Sequence, residues 1–157
     1  MPVIDHRVRR PEDKFDLVER LANDDASIFP TMRDLFVFAA VLGKSEGKWV
    51  PFTKASGDPI RLEYFYRDPD HMLLFETLAV LEHPTDAEIL REDRLGEVVA
   101  IFEGYVNGGL EVLQARFNTK GLRRPDEILL DLVMGEISRD RAAERIDLTR
   151  IADELGL

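Results

Sequence analysis

The chain has 157 residues, enough for one domain that buries roughly two thirds of the surface its unfolded form exposes. It contains no cysteine, which excludes disulfides, thiolate metal sites and cysteine nucleophiles together. Its formal charge of −10 argues against a free-standing nucleic-acid binder, whose affinity rests on lysine and arginine neutralising phosphates.

Residues 1–10 are polar and irregular, and the chain start lacks a signal-peptide core. No apolar run approaches the roughly 18 residues that suggest a membrane span, so a cytoplasmic protein with no membrane partner is expected. Pro11 opens the first helix, where Glu12 and Asp13 complement the positive end of its dipole. Phe15, Leu17, Val18, Leu21 and Ala22 form its apolar stripe, which ends near Asn23–Asp25.

Phe29–Gly43, FPTMRDLFVFAAVLG, holds eight consecutive apolar residues from Leu35 to Leu42. Thr31 with Asp34 is a shortened capping box, Pro30 suits the start of a helix and Gly43 its end. Periodicity alone also fits a buried strand in so short a run, but caps and length favour a central core helix. Residues 44–59 read as loop, with Trp49, Val50 and Phe52 as the only large apolar residues. Ile60–Arg67 alternates with a period near two, which predicts a strand. Its nearest partner is 48–53, giving a small hairpin closed by Ala55–Pro59.

Asp68–Pro69–Asp70 starts the next helix, which stops before Pro84, and Thr85 caps a short helix over Asp86–Arg91. Leu95–Phe117 follows as a long helix with Val98, Phe102, Tyr105, Gly109, Val112 and Arg116 on one face. Gly108 and Gly109 each cost a helix about 1 kcal/mol relative to alanine, so they either break it after Asn107 or admit a neighbouring backbone. Pro125 opens a helix bearing Ile128, Leu129, Leu132, Val133 and Ile137, and a polar helix over Asp140–Leu155 ends at Gly156. The expected fold is mainly α: a single compact helical domain over 1–157, of about six helices with a small β-hairpin (48–53, 60–66). Residues 138–157 form a C-terminal extension helix.

The chemistry-bearing residues form no recognisable constellation. His6, His71 and His83 are not arranged as metal ligands, so no metal and no cofactor is expected. The carboxylates lie among compensating arginines, and no pair stands out as an acid/base dyad. None of Ser27, Ser45, Ser56 or Ser138 lies in a GxSxG elbow, and Gly43–Lys44–Ser45 lacks the earlier glycine of a P-loop. Tyr64–Phe65–Tyr66 beside Arg61 and Arg67 could stack bases, with core packing the plainer reading. Positive charge gathers at Arg7, Arg9 and Arg10, at Lys44, Lys48 and Lys54, and from Arg116 to Arg124; a cationic patch requires these to converge. Lys120, Arg123 and Arg124 form a basic turn and are the candidate phosphate contacts. Leu148–Leu157 reads like the first helix and turn of a helix-turn-helix, but with no second helix to enter a groove it suits a glycine-capped helix or a docking segment.

Two stretches together, FPTMRDLFVFAAVLG at 29–43 and IFEGYVNGGLEVL at 101–113, resemble the signature segments of a bacterial family, Dnd system-associated protein 4. RRPED near the start and Pro51–Phe52 are in register with it. The resemblance spans roughly residues 8–135, with the acidic tail after Glu136 lying beyond the usual pattern. It implies a setting among DNA phosphorothioation genes, which replace a backbone oxygen of DNA by sulfur and serve in modification and defence. It carries over no functional residues. The expected role is a non-enzymatic accessory or adaptor protein whose partners are other proteins of that system. Tyr105, Asn107, Gly108 and Gly109 are its candidate partner interface. The alternatives are direct DNA binding through Lys120–Arg124 and, behind it, a nuclease or other hydrolase. The oligomeric state is not readable.

Overall fold

The computed structural model describes residues 6–23, 27–120 and 124–156, the side chains at 120, 143–149 and 151 excepted. Six α-helices dominate these residues: α1 Phe15–Val18, α2 Met32–Ser45, α3 Leu62–Tyr66, α4 Pro69–Glu82, α5 Leu95–Lys120 and α6 Pro125–Leu155. Two short strands, β1 Arg7–Val8 and β2 Ile60–Arg61, form one antiparallel pair. The protein is mainly α with a small antiparallel sheet, as its composition and periodicities predict. It divides into two compact units, Met1–Ala115 and Arg116–Leu157, a boundary well before the extension expected at 138–157.

The first unit is organised by α2 and α5. Thr31 caps α2, its hydroxyl oxygen accepting from the Asp34 N–H at 3.1 Å while donating to the Asp34 carboxylate at 2.7 Å. Leu35, Phe36, Ala39, Ala40 and Leu42 are buried beneath it. The helix continues through Gly43 to Ser45, because Gly43 serves as a contact point and not as a stop. A Cβ on Gly43 would overlap the Tyr105 carbonyl oxygen and come within 2.9 Å of the Gly109 nitrogen. A Cβ on Gly109 would overlap the carbonyl oxygen of Ala39. The two backbones therefore touch where side chains would hold them apart. Gly108 and Gly109 do not interrupt α5; they admit its neighbours.

Around this crossing, Phe65 of α3, Phe75 of α4 and Phe102 of α5 form an aromatic core. Phe75 stacks on Phe102 with ring centroids 3.8 Å apart, and Phe65 meets both edge-on at 5.3 and 5.5 Å. This cluster explains one correction to the sequence reading. Ile60–Arg61 is extended, but 62–66 is helical, because only a helix lets Leu62 and Phe65, three apart, both reach the interior. The strand partner also differs: Arg7 opposes Arg61 and Val8 opposes Ile60, so the hairpin between 48–53 and 60–66 does not form. Residues 48–50 run instead against α2 and α5. The Lys48 N–H donates to the Gly43 carbonyl at 2.8 Å and the Val50 N–H to the Gly104 carbonyl at 3.0 Å.

Three further boundaries differ. The first helical stretch is a tight turn at Glu12–Lys14, α1, and a wide π turn at Glu19–Asn23. Asp86–Arg91 is a series of turns followed by a 3-10 turn at Glu92–Arg94. The two helices expected after Pro125 are one continuous helix, since neither proline nor glycine falls between Ile137 and Asp140. In the second unit Phe117, Ile128, Leu129 and Leu132 are buried, and Gly156 caps α6 in the left-handed conformation at φ 67°.

Arg94 holds the turns that begin at Asp86 to the start of α5. Its guanidinium donates to Asp86 at 2.7 Å and to both carboxylate oxygens of Glu97 at 3.0 and 2.9 Å. The Arg94 hydrogen bonds keep both carboxyls below their ordinary range. Groups depressed in this way stabilise the fold above the unfolded carboxylate value of about 4, and that contribution is lost as pH falls through their lower folded values. Melting temperature followed from about pH 5 to pH 2 should fall less steeply in Arg94→Gln than in the native protein. Parallel pH profiles would show that the ties contribute nothing.

Candidate functional site

The four residues expected at a partner interface lie inside the first unit. Tyr105 is 3 % exposed; its hydroxyl donates to Glu82 and accepts from Lys44 Nζ at 3.3 Å, while Lys44 pairs with Glu82 at 3.6 Å. Asn107 accepts from Lys14 Nζ at 3.2 Å and donates to the Val50 carbonyl at 3.0 Å. Gly108 lies under the Lys48 carbonyl and Gly109 under that of Ala39. The α5 segment is thus covered by the chain itself: its glycines admit backbone, and its polar groups are satisfied internally. It presents no outward face for docking.

The basic segments resolve mostly into ion pairs. Arg9 makes a forked contact with Glu103, at 3.0 Å from Nη2 and 3.1 Å from Nε, and its backbone N–H donates to the same carboxylate at 2.6 Å. That hydrogen bonding raises the Arg9 pKa further, against the opposing effect of burial. Buried Arg10 reaches Glu19 at 2.7 Å and the Ser56 carbonyl at 3.1 Å. Buried Lys14 pairs with Asp13 at 2.9 Å, and Lys48 pairs with Glu111 at 3.3 Å. Of the candidate phosphate contacts, Arg124 is exposed and joined to Asp126 at 2.6 Å. Arg123 and the Lys120 side chain lie outside the described residues.

The aromatic run divides. Phe65 is core, and half-buried Tyr66 packs on Phe75 at 5.5 Å, its phenol pushed up to about 12 by burial. Tyr64 faces solvent, with the Arg67 guanidinium 4.9 Å from its ring centroid and Arg33 Nη1 donating to its carbonyl at 2.9 Å. Among the described residues no cluster of three histidine, aspartate or glutamate side chains could hold a metal ion, and no helix is long and apolar enough to cross a membrane.

Two apolar faces point outward. Leu73, Val80 and Leu81 lie on the outer side of α4, a helix apolar nearly all round. On α6, Leu130, Val133, Met134 and Ile137 recur at spacings of three and four, and Leu130 is 61 % exposed. They lie about half a turn from the buried Ile128, Leu129 and Leu132. Reading Val133 and Ile137 into one stripe with the buried residues hides this second face. The separate 130, 133, 134, 137 periodicity is its signal.

Asn107→Ala should lower stability by about 1–3 kcal/mol in urea unfolding, because it strips a partner from buried Lys14 and from the Val50 carbonyl. A neutral substitution would show that this polar cluster is not structural.

A family model for DNA sulphur modification system-associated protein 4 matches residues 7–151. The match runs well past Glu136, so most of the acidic tail belongs to the family pattern, contrary to the shorter span expected from the signature segments. No curated protein and no solved structure matches the chain. The family description names an association with a system and not a catalytic activity. The chain belongs to the DNA sulphur modification system-associated protein 4 family.

Proposed function

We propose that this protein is a non-enzymatic accessory or adaptor component of a DNA sulphur modification system. It works in the cytoplasm beside modification or defence machinery and acts through protein–protein contacts. The observation that carries this reading is the outward face of α6. Leu130, Val133, Met134 and Ile137 form an apolar stripe exposed to solvent, turned away from the helix's own buried face. Scattered exposed apolar residues need no explanation, but a stripe at helical spacing has the form of an amphipathic docking surface. Charged residues border it, with Asp126 and Glu127 before it and Arg139 and Arg141 beyond. The occupant is another protein of the same system, presenting an apolar groove or helix.

The sequence reading placed the interface on Tyr105–Gly109. With those residues covered, the proposal moves to the 130–137 stripe of α6, which lies before the docking segment expected at Leu148–Leu157.

Co-expression with the other proteins of the system, followed by purification at native levels, tests this. The native chain should carry a stoichiometric partner, and Leu130→Glu with Met134→Glu should reduce recovery at least tenfold while helicity and melting temperature are kept. Recovery of only free protein with all the genes expressed would overturn the proposal. So would a complex untouched by the double substitution, or light scattering showing that the stripe is occupied by a second copy.

A further inference from the structure

Many cations of this acidic protein are matched to carboxylates, and most of the arginines near Tyr64 are not. Arg33 and Arg67 contact exposed Tyr64, Arg61 precedes it by three residues, and Arg7 pairs with Arg61 across the strands. Arg61, Tyr64 and Arg67 follow one another at intervals of three along α3 and its cap, and so share a face. Arg67 lies over the Tyr64 ring, and Arg33 reaches across from α2 to the Tyr64 carbonyl. Arg7 stands directly opposite Arg61 across the strand pair, so both side chains project from the same side of the sheet.

Two features of the cluster work against local stability. Like charges directly opposite on paired strands destabilise the pair. Arg61 also occupies the N-cap of α3, where a hydroxyl or carboxylate side chain would be favoured, and makes no capping hydrogen bond there. Compensation is slight: Arg61 has Glu63 at 3.7 Å, while no ion pair to Arg7, Arg33 or Arg67 occurs among the described residues. Asp34 and Asp68 bond to neutral groups, the Thr31 hydroxyl and the Asp70 N–H, and pair with none of these arginines. The Arg33 Nε is buried without a hydrogen-bond partner. Beside these groups is an open recess of about 310 Å³ lined by Thr31, Met32, Arg33, Ile60 and Tyr64.

We infer that this surface binds a short segment of single-stranded DNA, with phosphates on Arg7, Arg61 and Arg67 and an unpaired base in the recess against Tyr64. A cationic track beside an exposed aromatic ring is the general form of single-strand recognition. The recess suits a base: Met32, Ile60 and Tyr64 give it apolar walls, and Thr31 and Arg33 give it polar groups for a base edge. The small extent of the patch, on a chain of charge −10, favours a single strand over a duplex, whose two phosphate rows would meet the surrounding negative surface. This site shares no residue with Lys120, Arg123 and Arg124 or with the apolar stripe of α6.

Fluorescence anisotropy of the full-length protein with a labelled oligothymidylate of about 12 nucleotides, at about 20 mM salt, tests it. Binding should weaken with salt at a log–log slope of about −2 to −3, as expected for three or four neutralised phosphates on a single strand. Arg61→Glu with Arg67→Glu should reduce affinity at least tenfold. A carboxylate at position 61 suits a helix start, so the fold should survive. Tyr64→Ala should weaken oligonucleotide binding and Tyr64→Phe should retain it. Arg139→Glu with Arg150→Glu, the same change in net charge in the second unit, should leave binding intact. The inference is overturned by absence of binding at low salt, by equal losses in the two double variants, or by equally tight binding of polyglutamate. Indifference to Tyr64→Ala together with equal binding of duplex would also overturn it.

Discussion

At the crossing of α2 and α5 there is no layer of side chains, and the arrangement of the first unit follows from that contact. Gly43 lies against the Tyr105 carbonyl and the Gly109 nitrogen, and Gly109 against the Ala39 carbonyl. Ordinary helix packing separates axes by about 8–10 Å, according to the side chains at the contact, and glycine is what permits a closer approach. The same strip of α5 receives the 48–50 segment: the Lys48 carbonyl sits over Gly108 and the Trp49 ring over Gly104. Trp49 Nε1 donates to the Ile101 carbonyl at 3.1 Å, and so is fixed although part of its ring remains exposed. Three glycines on one helix thus make a seat for two neighbouring segments.

Polar ties extend the seat to the chain start. Glu103, nearly buried on α5, takes Arg9 in a fork, and Asn107, one turn on, takes Lys14. These contacts place residues 9–14 along α5, with Arg10 fastening to Ser56 and Glu19. In each of these contacts one charged side chain, Glu103, Arg10 or Lys14, is buried, and losing its partner would strand that charge, so the contacts resist rearrangement. With Arg9 fixed, β1 is positioned to pair with β2, and that pairing brings Arg7 beside Arg61. The cationic group around Tyr64 is therefore built by the same contacts that define the fold.

The main helices were legible because their signals are local. Thr31 with Asp34, the eight apolar residues that follow, Asp68–Pro69, and Pro125 to Gly156 mark α2, α4 and α6 with little dependence on tertiary context. The glycine pair posed the right question, break or close approach, but the answer required knowing what approached. The 60–66 segment was misread because alternation and a three-residue spacing coexist there, and burial of Leu62 and Phe65 together chose the helix. The partner of β2 lay about fifty residues upstream, beyond any local pattern. The outward surfaces were least legible. Arg61, Tyr64 and Arg67 are neighbours in the sequence, but only the fold adds Arg7 and Arg33 to them; the α6 stripe is present as a period but merges with its buried face.

The glycine-bearing parts of the two signature segments are structural, and the surfaces proposed for contact lie on α6 and around Tyr64, the latter with Thr31–Arg33 from the start of the first segment. The glycines of the α2–α5 crossing serve backbone contact. Urea unfolding of Gly109→Ala beside Gly135→Ala tests this most directly, since a Cβ at Gly109 overlaps the Ala39 carbonyl and a Cβ at Gly135 has nothing within 4 Å. Gly109→Ala should lose about 1–3 kcal/mol through overpacking. Gly135→Ala should gain up to about 1 kcal/mol from helix propensity. A stabilising Gly109→Ala, moving with Gly135→Ala, would contradict the claim.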